Sequence, residues 1–517
     1  MSDPPRTPGV YVREVSGGPP PIAAVDTSVA AFVGAFARGP LDHPVLATGI
    51  HGFERVFGAP GPDHPAPWEV HQFFHNGGTR AWIVRVARGA AAATAELVGG
   101  GRPVLRVRAA TRAGRRSVDD PGRWGNRLRL DVEHGADPSF DLVVRDVGPD
   151  GRTRRSETFQ GLVLDLGDRA FAPTVVNAVS TLVRLEVDGI PLAGSRGLRP
   201  EEGRSRLADG ADGDRPTAAL LLGARGSRTG LAALGKGWNL LCLPDAAWMP
   251  PAEARSTYLE AVERCAEHRA FLLLDPPNGL AAAGELLAWV EGGAGLRSPD
   301  ASLHVPRLVV PAATVDGGRR TVGTSGTRAG LFARTDRLRG VWKAPAGPEA
   351  DLRHVLEPAV DLGRADLEFL NPGGINAIRR FPGRGIVSWG ARTLAGHQRG
   401  STEWRYVPVR RLALFIEASL AEGLEWTALE PNAPPRWARI RSAADAFLLS
   451  LFRAGALQGT KAEEAWFARC GPETTTDLER RQGILWLETG CAPLMPGEFT
   501  LILRTRLRTR VPIEGAG

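Results

Sequence analysis

The chain has 517 residues, of which 43% are hydrophobic and 23% are charged. This ordinary globular composition excludes a disordered, collagen-like or disulfide-scaffold protein. The 64 basic and 57 acidic residues leave a formal net charge of +7, an excess too small over such a length to indicate a nucleic-acid-binding protein. At about 150 residues per domain, the length predicts roughly three domains.

The cysteines and the apolar runs indicate the compartment. The four cysteines are widely separated and form no C-x-x-C pair, which is typical of reduced thiols in a cytosolic protein. The N-terminus has no apolar stretch of the kind found in signal peptides. No apolar run approaches the ~20 residues that span a bilayer. We therefore expect assembly in the cytoplasm and no insertion into a membrane.

Residues 1–24 are predicted to form an N-terminal arm. The alternating run Val10-Tyr-Val-Arg-Glu-Val15 is typical of a short strand, and it lies between clusters of proline and glycine. A strand bracketed by such residues has no partner nearby in sequence, so it must join a sheet elsewhere in this chain or in another. The residues assigned to this arm strand are Val10, Tyr11, Val12, Arg13 and Val15.

The next segment, residues 25–94, has a compact mixed pattern that predicts one part of a core domain. Hydrophobic spacing predicts a strand, two helices and a second strand, in that order. The strands are Ser28–Phe36 and Ala81–Val86, and the helices are Ile50–Phe57 and Trp68–Asn76.

Residues 95–205 are predicted to form an inserted β-rich module on the outside of the protein. Short alternating runs separated by turn clusters are typical of antiparallel strands. They cover Val104–Arg108, Leu128–Glu133, Phe140–Asp146 and Arg184–Val187. The polar stretch Leu198–Arg215 is expected to be an exposed linker.

Residues 206–345 are predicted to form an α/β middle domain. Continuous apolar runs are typical of buried parallel strands, and they occur at Ala218–Leu222, Trp238–Leu243 and Ala270–Leu274. The pattern over Pro251–Glu267 predicts a helix between the last two. Residues 311–350 are rich in glycine, and we expect loops there.

Residues 346–496 are predicted to form a C-terminal domain, followed by a C-terminal arm at 497–517. Helices are expected around Leu412–Leu420 and Ala443–Phe452, and the arm contains a strand over Phe499–Val511. One face of this strand is mainly apolar and the other carries arginines, so it can join a sheet while its guanidinium groups seek carboxylates. A plain edge strand guarded by its arginines is the alternative. The residues assigned to the strand are Phe499, Leu501, Leu503, Leu507, Arg504, Arg506, Arg508 and Arg510.

No coherent active site is visible in the sequence. Asp245 and Asp275 follow apolar strands, where two carboxylates can hold a metal or act as acid and base; capping of a turn or helix is the favoured interpretation. Gly230–Lys236 resembles a phosphate-binding loop but lacks the following Ser or Thr. His71 and His75 have zinc-compatible spacing but no clear third ligand. We predict no catalytic residue, no metal and no cofactor.

Several motifs, in this order along nearly the whole chain, resemble contractile tail sheath proteins. Each is weak alone, but their number and order are specific. They are Pro8-Gly-Val-Tyr-Val-Arg-Glu-Val15, Val25-Asp-Thr-Ser-Val-Ala-Ala-Phe-Val-Gly34, Phe53-Glu-Arg-Val-Phe-Gly58, Phe73-Phe-His-Asn-Gly-Gly78, Leu370-Asn-Pro-Gly-Gly-Ile-Asn-Ala-Ile378, Gly385-Ile-Val-Ser-Trp-Gly-Ala-Arg-Thr393, Trp404-Arg-Tyr-Val-Pro-Val-Arg-Arg411 and Pro496-Gly-Glu-Phe499.

The resemblance implies a non-enzymatic structural subunit of a phage tail, a tailocin or a contractile injection system. Sheath subunits of that family stack as six-fold rings around an inner tube, and their terminal arms interlace with sheets of neighbouring copies. The implied partners are further copies of the chain, the tube protein, and baseplate and terminal cap proteins, with no requirement for nucleic acid. The residues expected to face the tube are Arg436, Arg439, Arg441 and Arg453, and these should be exposed, since contraction must release them.

The predicted fold class is a mixed α/β, multidomain chain. Its discontinuous α+β core comes from both chain ends, with β-rich and α/β modules inserted and extended terminal β-arms. Two other functions remain open from the residues alone. One is a metal-dependent α/β enzyme that uses Asp245 and Asp275, and the other is a nucleic-acid-binding protein that uses the arginine face of the last strand, with a steep salt dependence.

Overall fold

The computed structural model describes residues 20–187, 198–293, 295–312, 318–396, 403–494 and 501–508. The chain forms two compact units, one of Asp26–Arg410 and the other of Met1–Val25 with Arg411–Gly517. Residues from both chain ends therefore share one unit, and all of the inserted segments lie in the other. None of the described helices is long and apolar enough to cross a lipid bilayer.

The segment predicted from 25 to 94 folds as expected. The predicted helices and strands lie within two residues of their observed positions. Gly49, Gly58 and Gly77 have positive φ and mark the ends of the two helices. The elements are β1 (Ala30–Gly34), β2 (Val45–Ala47), α1 (Ile50–Phe57), α2 (Ala66–His75) and β3 (Ala81–Arg85).

The β-rich module is present and consists of two four-stranded sheets packed around one apolar core. Its elements are β4 (Thr94–Gly99), β5 (Arg102–Ala113), β6 (Arg116–Asp119), β7 (Leu128–His134), β8 (Phe140–Val147), β9 (Thr153–Leu162), α3 (Ala172–Val179), β10 (Val183–Val187) and β11 (Gly203–Arg206). One sheet has the order β10-β5-β4 with β6 also paired to β5, and the other has the order β11-β7-β8-β9. Alternating burial along β8 shows why one face of that second sheet meets the core and the other meets solvent.

The elements that follow the module complete a large central sheet. They are α4 (Ala218–Leu222), β12 (Leu240–Cys242), α5 (Pro251–His268), β13 (Phe271–Leu274), α6 (Ala283–Glu291), β14 (Ala301–Val305), β15 (Leu308–Pro311), β16 (Arg319–Val322), α7 (Ser325–Arg339), β17 (Glu357–Pro358), α8 (Arg364–Leu370), β18 (Ile375–Phe381) and β19 (Gly385–Trp389). The central sheet has the order β19-β18-β14-β13-β12-β1-β3-β2. Only its two edge strands, β19 and β2, run antiparallel to their neighbours. Its interior strands β12 and β13 are wholly buried, as continuous apolar runs predict.

Three expectations for this region are wrong. Ala218–Leu222 is the short helix α4 rather than a strand, because a five-residue apolar run has no period that separates the two. Residues 311–350 are not all loops, since they contain the fifteen-residue helix α7. The stretch Leu198–Arg215 is not a free linker, since it contains β11 and its Leu207 is buried in the module core.

Two glycines explain why the sequence predicted loops where helix α7 is found. Gly326 and Gly330 lie one turn apart on α7, where an added Cβ would lie 2.0 Å from the carbonyl oxygen of Glu69 and 2.3 Å from that of Phe73, both on α2. The helices therefore approach so closely that only hydrogen fits between their backbones. Residues that look like loop formers thus permit tight helix packing.

The C-terminal unit combines helices with a small antiparallel sheet. Its elements are α9 (Val407–Gly423), of which residues 411–423 belong to this unit, α10 (Pro434–Arg453), α11 (Ala462–Ala465), β20 (Trp466–Cys470), α12 (Asp477–Arg481), β21 (Ile484–Cys491) and β22 (Leu501–Arg508). The helices α9 and α10 meet through Phe415 and Phe447, with ring centroids 6.0 Å apart. The N-terminal residues reach this unit, since the amide of Val25 donates to Ser419 Oγ at 3.2 Å.

Candidate assembly surface

The last strand has a partner within its own chain. Strand β22 pairs antiparallel with β21 along its whole length, from Ile484 opposite Arg508 to Cys491 opposite Leu501. For residues 501–508, this arrangement corresponds to the alternative interpretation, a plain edge strand of its own domain. Among the described residues, β22 forms an edge of the β20-β21-β22 sheet, so its second row of backbone amides and carbonyls is open to another strand.

The two faces of this strand divide as the alternation predicts. Leu503 and Leu507 are buried against the unit, whereas Arg504 and Arg506 are exposed. Thr505 is buried between the two leucines, on the same face. The side chains of Leu501 and Arg508, and all of Phe499 and Arg510, lie outside the described residues. So do Val10, Tyr11, Val12, Arg13 and Val15.

The arginine face is partly matched by carboxylates of the same sheet. Glu488 on β21 stands between Arg469 and Arg504, with Nη1 of Arg469 3.8 Å from its Oε1 and Nε of Arg504 3.9 Å from its Oε2. The guanidinium of Arg504 also lies over the Trp486 ring, 5.2 Å from the centroid. These exposed ion pairs contribute little to stability. The strand is therefore held mainly by its backbone pairing with β21 and by its buried leucines. Glu488 was not predicted from the sequence. The alternation of apolar and polar residues that follows Gly483 could have indicated strand β21 and placed Glu488 on its polar face.

The four arginines expected to face a tube are not equivalent. Arg439 and Arg453 on α10 are exposed, and Arg439 pairs with Glu430 at 2.5 Å and lies over the Trp426 ring. Arg441 is half-buried and donates to the carbonyl of Cys470 at 2.5 Å.

Arg436 contradicts the expectation of exposure. It is only 3% exposed, and its Nη1 donates to the carbonyl oxygen of Glu430 at 2.9 Å. Burial lowers the pKa of its guanidinium. Its role is therefore to fix the turn before α10, because a side chain that is almost wholly buried offers no surface to a partner.

Asp275 caps a helix rather than forming part of an active site. Its Oδ1 accepts hydrogen bonds from the amides of Thr324 (2.5 Å) and Ser325 (2.7 Å), and its Oδ2 accepts one from Ser325 Oγ at 2.7 Å. These amides begin α7, so the carboxylate also interacts favourably with the positive end of the helix dipole. The capped helix lies fifty residues further along the chain, and not directly after the aspartate as expected.

A second buried carboxylate, Glu69 on α2, stands beside Asp275. Its Oε2 accepts from the amide of Gly326 at 2.8 Å, and a Cβ on Gly323 would lie 2.2 Å from an oxygen of Asp275 and 2.8 Å from one of Glu69. Burial raises the pKa of both carboxyls, most strongly for Glu69, to which the Asp275 charge adds repulsion. Repulsion between the two buried carboxyls therefore favours the protonated form of Glu69. Nothing in the sequence marked Glu69.

Asp245 has a separate structural role. Its Oδ2 accepts from the amide of Ala35, just after β1, at 2.9 Å. Burial raises the pKa of this carboxyl to about 7. The carboxyl group ties the connection after β12 to the end of β1. It does not cap the turn that follows it, which was the interpretation favoured from the sequence.

The other weak motifs also serve structure. Residues of the phosphate-loop-like run begin a 3₁₀ turn at Gly230–Ala233, which offers no long helix N-terminus to a phosphate. His75 stacks on His354 with ring centroids 3.9 Å apart, and Nε2 of His71 lies 3.3 Å from a carboxylate oxygen of Glu54. Within the part of the chain that the structure describes, no group of three His, Cys, Asp or Glu side chains could hold a metal ion.

Comparison of the sequence with known proteins gives one partial match. No protein-family model matches the chain. Over 133 residues, or 26% of the chain, it is 32% identical to the tail sheath protein of Vibrio phage KVP40, and this match spans 19% of that relative. The sequence likeness thus covers well under two thirds of the relative's length.

Comparison with solved structures covers nearly the whole chain. The sheath of the extracellular contractile injection system PVC, in its contracted state, matches 97% of this chain and 98% of its own, with a TM-score of 0.56 and 20% identity. The contracted helical sheath of the anti-feeding prophage matches 96% and 98%, with a TM-score of 0.53 and 24% identity. A sheath tail protein from Listeria innocua matches 96% of both chains, with a TM-score of 0.64 and 12% identity. The predicted resemblance is confirmed at the level of the fold.

Proposed function

We propose that this chain, which has the fold of the contractile tail sheath proteins, is the sheath subunit of a phage tail or of a related contractile particle. Copies polymerise as stacked hexameric rings around an inner tube, and their contraction drives the tube through a target envelope. The observation that carries the proposal is the structural match, which covers 96% or more of both chains in each comparison. A likeness that spans every module is more specific than a likeness of one common α/β layer.

The proposed joint between copies is the open edge of β22. The arm strand of a neighbouring copy, Val10 to Val15, adds to this edge through backbone hydrogen bonds. Its support is the open edge itself and the proline and glycine residues that isolate the arm strand in sequence. Residues 501–508 either stay on their own β21 or exchange with a neighbour, since both arrangements use the same register.

The proposed tube contact uses the exposed arginines of α10. Arg439 and Arg453 are exposed and Arg441 is half-buried, so contraction can release all three without exposing a core. Complementary acidic groups on the tube are expected. One of the matched structures is the baseplate of the anti-feeding prophage, which supports a baseplate among the partners, and a terminal cap completes the proposed set.

Electron microscopy of the purified full-length chain tests this function. We expect tubes with six-fold symmetry for the natural chain. Val12→Pro removes a ladder amide from the arm strand and should leave a folded monomer, whereas Thr7→Pro, outside that strand, should still form tubes. Tubes from Val12→Pro would refute the arm joint, and a natural chain that forms no ordered particle at any concentration would refute the function.

A further inference from the structure

A cavity of about 540 Å³ lies beside the turn that joins β18 to β19, the edge strand of the central sheet. The buried side chains of Leu362 and Ile378 give it an apolar wall, and the half-buried Phe381 lines it as well. On the solvent side it is lined by the exposed residues Pro382 and Gly383. Ligand pockets measure about 300–1,000 Å³, so this cavity can receive an apolar side chain from outside.

The charge around the cavity is mainly positive. Arg379 and Arg380 line it, Arg384 lies in the same turn, and Asp361 is the acidic residue of the lining. Arg380 is paired with Glu357, whose carboxylate oxygen lies 3.8 Å from its Nη2. Among the described residues, neither Arg379 nor Arg384 forms an ion pair. Two guanidinium groups beside the cavity are therefore available to an acidic partner.

Arg379 is positioned by stacking rather than by an acidic partner. Its guanidinium lies over the Phe381 ring, 5.2 Å from the centroid, and that ring lies 4.8 Å from the ring of the exposed Trp389. A guanidinium that stacks by its face keeps the N–H groups of its edge for a carboxylate. The cavity is therefore complementary to an apolar side chain that has carboxylates beside it.

The β-rich module carries such a group on the turn before α3. Leu166 is 52% exposed, and the amide of Asp168 donates to the carbonyl oxygen of Asp165 at 3.1 Å to close the turn around it. Oδ1 of Asp165 accepts from the amide of Gly167 at 3.0 Å, and Oδ1 of Asp168 accepts from the amide of Ala170 at 2.8 Å. These bonds order both carboxylates. Within the described part of the chain, neither of them forms an ion pair.

Other exposed apolar side chains have a different setting. Leu338 lies between two arginines. The aspartate beside Leu478 and the glutamate beside Phe369 are each paired with an arginine of their own helix. The Leu166 turn keeps a negative charge, since a single arginine, Arg169, follows its two aspartates.

We propose that the Leu166 turn of one copy inserts into the cavity beside the β18–β19 turn of the next copy. The leucine packs on the apolar wall, and the two aspartates pair with Arg379 and Arg384. The turn and the cavity are different surfaces of the chain, so the contact is heterologous and runs from copy to copy in one direction. The exposure of Leu166 shows that its own chain does not cover it.

The contact is additional to the arm joint, and its place in a particle rests on the proposed function. The arms link copies by backbone pairing at β22, whereas this contact uses side chains of the unit Asp26–Arg410 on both copies. Exposed ion pairs are weak and are screened by salt. Its strength should therefore fall as the salt concentration rises.

Cysteine trapping in the full-length chain tests the contact. Leu166→Cys with Pro382→Cys places one thiol on the turn and one at the cavity, and the four natural cysteines are buried. A disulfide needs Cα atoms within about 7 Å of each other, so oxidation with diamide should link copies into a ladder of dimers, trimers and longer chains. The control is Val179→Cys with Pro382→Cys, since Val179 is 60% exposed on the same module, and it should be linked at least tenfold less. Arg384→Cys replaces Pro382→Cys if circular dichroism shows that the latter is not folded.

Charge reversal in the Leu166→Cys, Pro382→Cys chain tests the ion pairs. Arg379→Glu with Arg384→Glu should lower the yield of the ladder at least tenfold, and the addition of Asp165→Lys with Asp168→Lys should restore it. Reversal of two exposed arginines of the module, Arg102→Glu with Arg115→Glu, changes the net charge equally and should leave the yield unchanged.

Four results would overturn the contact. They are equal ladders from the two cysteine pairs, equal loss in the Arg102 and Arg115 control, no recovery in the chain with all four charges reversed, and dimers from Pro382→Cys alone as the only product, which would assign the cavity to a symmetric pair. Six-fold tubes without a ladder remove this contact and leave the sheath function standing. A ladder from a chain that forms no tubes supports the contact and removes the sheath function.

Discussion

Replacement of Asp275 by alanine tests whether this carboxylate is structural. It strands three buried donors, namely the amides of Thr324 and Ser325 and the hydroxyl of Ser325. An unsatisfied buried donor costs about 1–3 kcal/mol, and a lost helix cap costs about 0.5–2 kcal/mol. Since these costs overlap and Glu69 is relieved of a neighbouring charge, we expect a loss of about 3–5 kcal/mol in the unfolding free energy.

The matched control is Asp366→Ala in α8. Asp366 accepts one exposed hydrogen bond, from the amide of Gly363 at 2.9 Å, so its loss should cost about 0.5–1 kcal/mol. Asp275→Asn keeps an acceptor oxygen and should lie between the two variants. Amide hydrogen exchange in α7 measures the local opening free energy and urea unfolding measures the global one.

Two results would refute this reasoning. One is a loss of less than about 1 kcal/mol for Asp275→Ala. The other is stabilisation of the natural chain by a divalent metal. A metal site with a dissociation constant of about 10 μM would add about 2.7 kcal/mol to the unfolding free energy at about 1 mM metal. If the double variant Asp275→Asn with Asp245→Asn lost that gain, the result would support the metal-dependent enzyme.

Three further predictions concern buried groups. Burial raises the pKa of Asp245 to about 7, so its contribution to stability is lost as pH rises toward 7, and Asp245→Asn should flatten the dependence of Tm on pH between 4 and 8. Burial lowers the pKa of His71 to about 4, so the natural chain should lose stability as pH falls from about 6.5 toward 4, and His71→Gln should reduce that loss. Gly326→Ala should cost about 2–3 kcal/mol in urea unfolding, since its Cβ would lie 2.0 Å from the Glu69 carbonyl oxygen; Gly284→Ala in α6, where a Cβ meets nothing within 4 Å, should be neutral or stabilising, and equal effects would contradict the close-packing argument.

The sequence predicted elements well where burial alone decides the pattern. Helix α1 has its predicted bounds, and β7 and β8 match within one residue, because each has one buried face and a period that shows it. The continuous apolar runs of β12 and β13 were likewise sufficient to predict buried parallel strands.

Elements that depend on remote partners were missed. Helix α7 has buried residues on every side, including Arg328 and Arg334, so it lacks the apolar stripe that reveals a surface helix. The capping oxygens of Asp275 and Glu69 come from residues far away in sequence. No local pattern contains that information.

In the candidate surfaces, too, features set by local pattern were predicted and features set by tertiary contacts were missed. The arginine alternation of the last strand was visible, and the exposure of Arg504 and Arg506 follows it. Its pairing with β21 and the burial of Arg436 depend on tertiary contacts.

The cap on α7 also leaves the first amides of this helix unavailable to a small molecule. In doubly wound enzymes, a helix start at the carboxyl edge of the sheet offers free amides to a substrate's phosphate or carboxylate. In this chain Thr324 and Ser325 already hold the carboxylate of Asp275, so the protein supplies the anion itself. The start of α7 therefore carries an internal anion in place of a bound ligand.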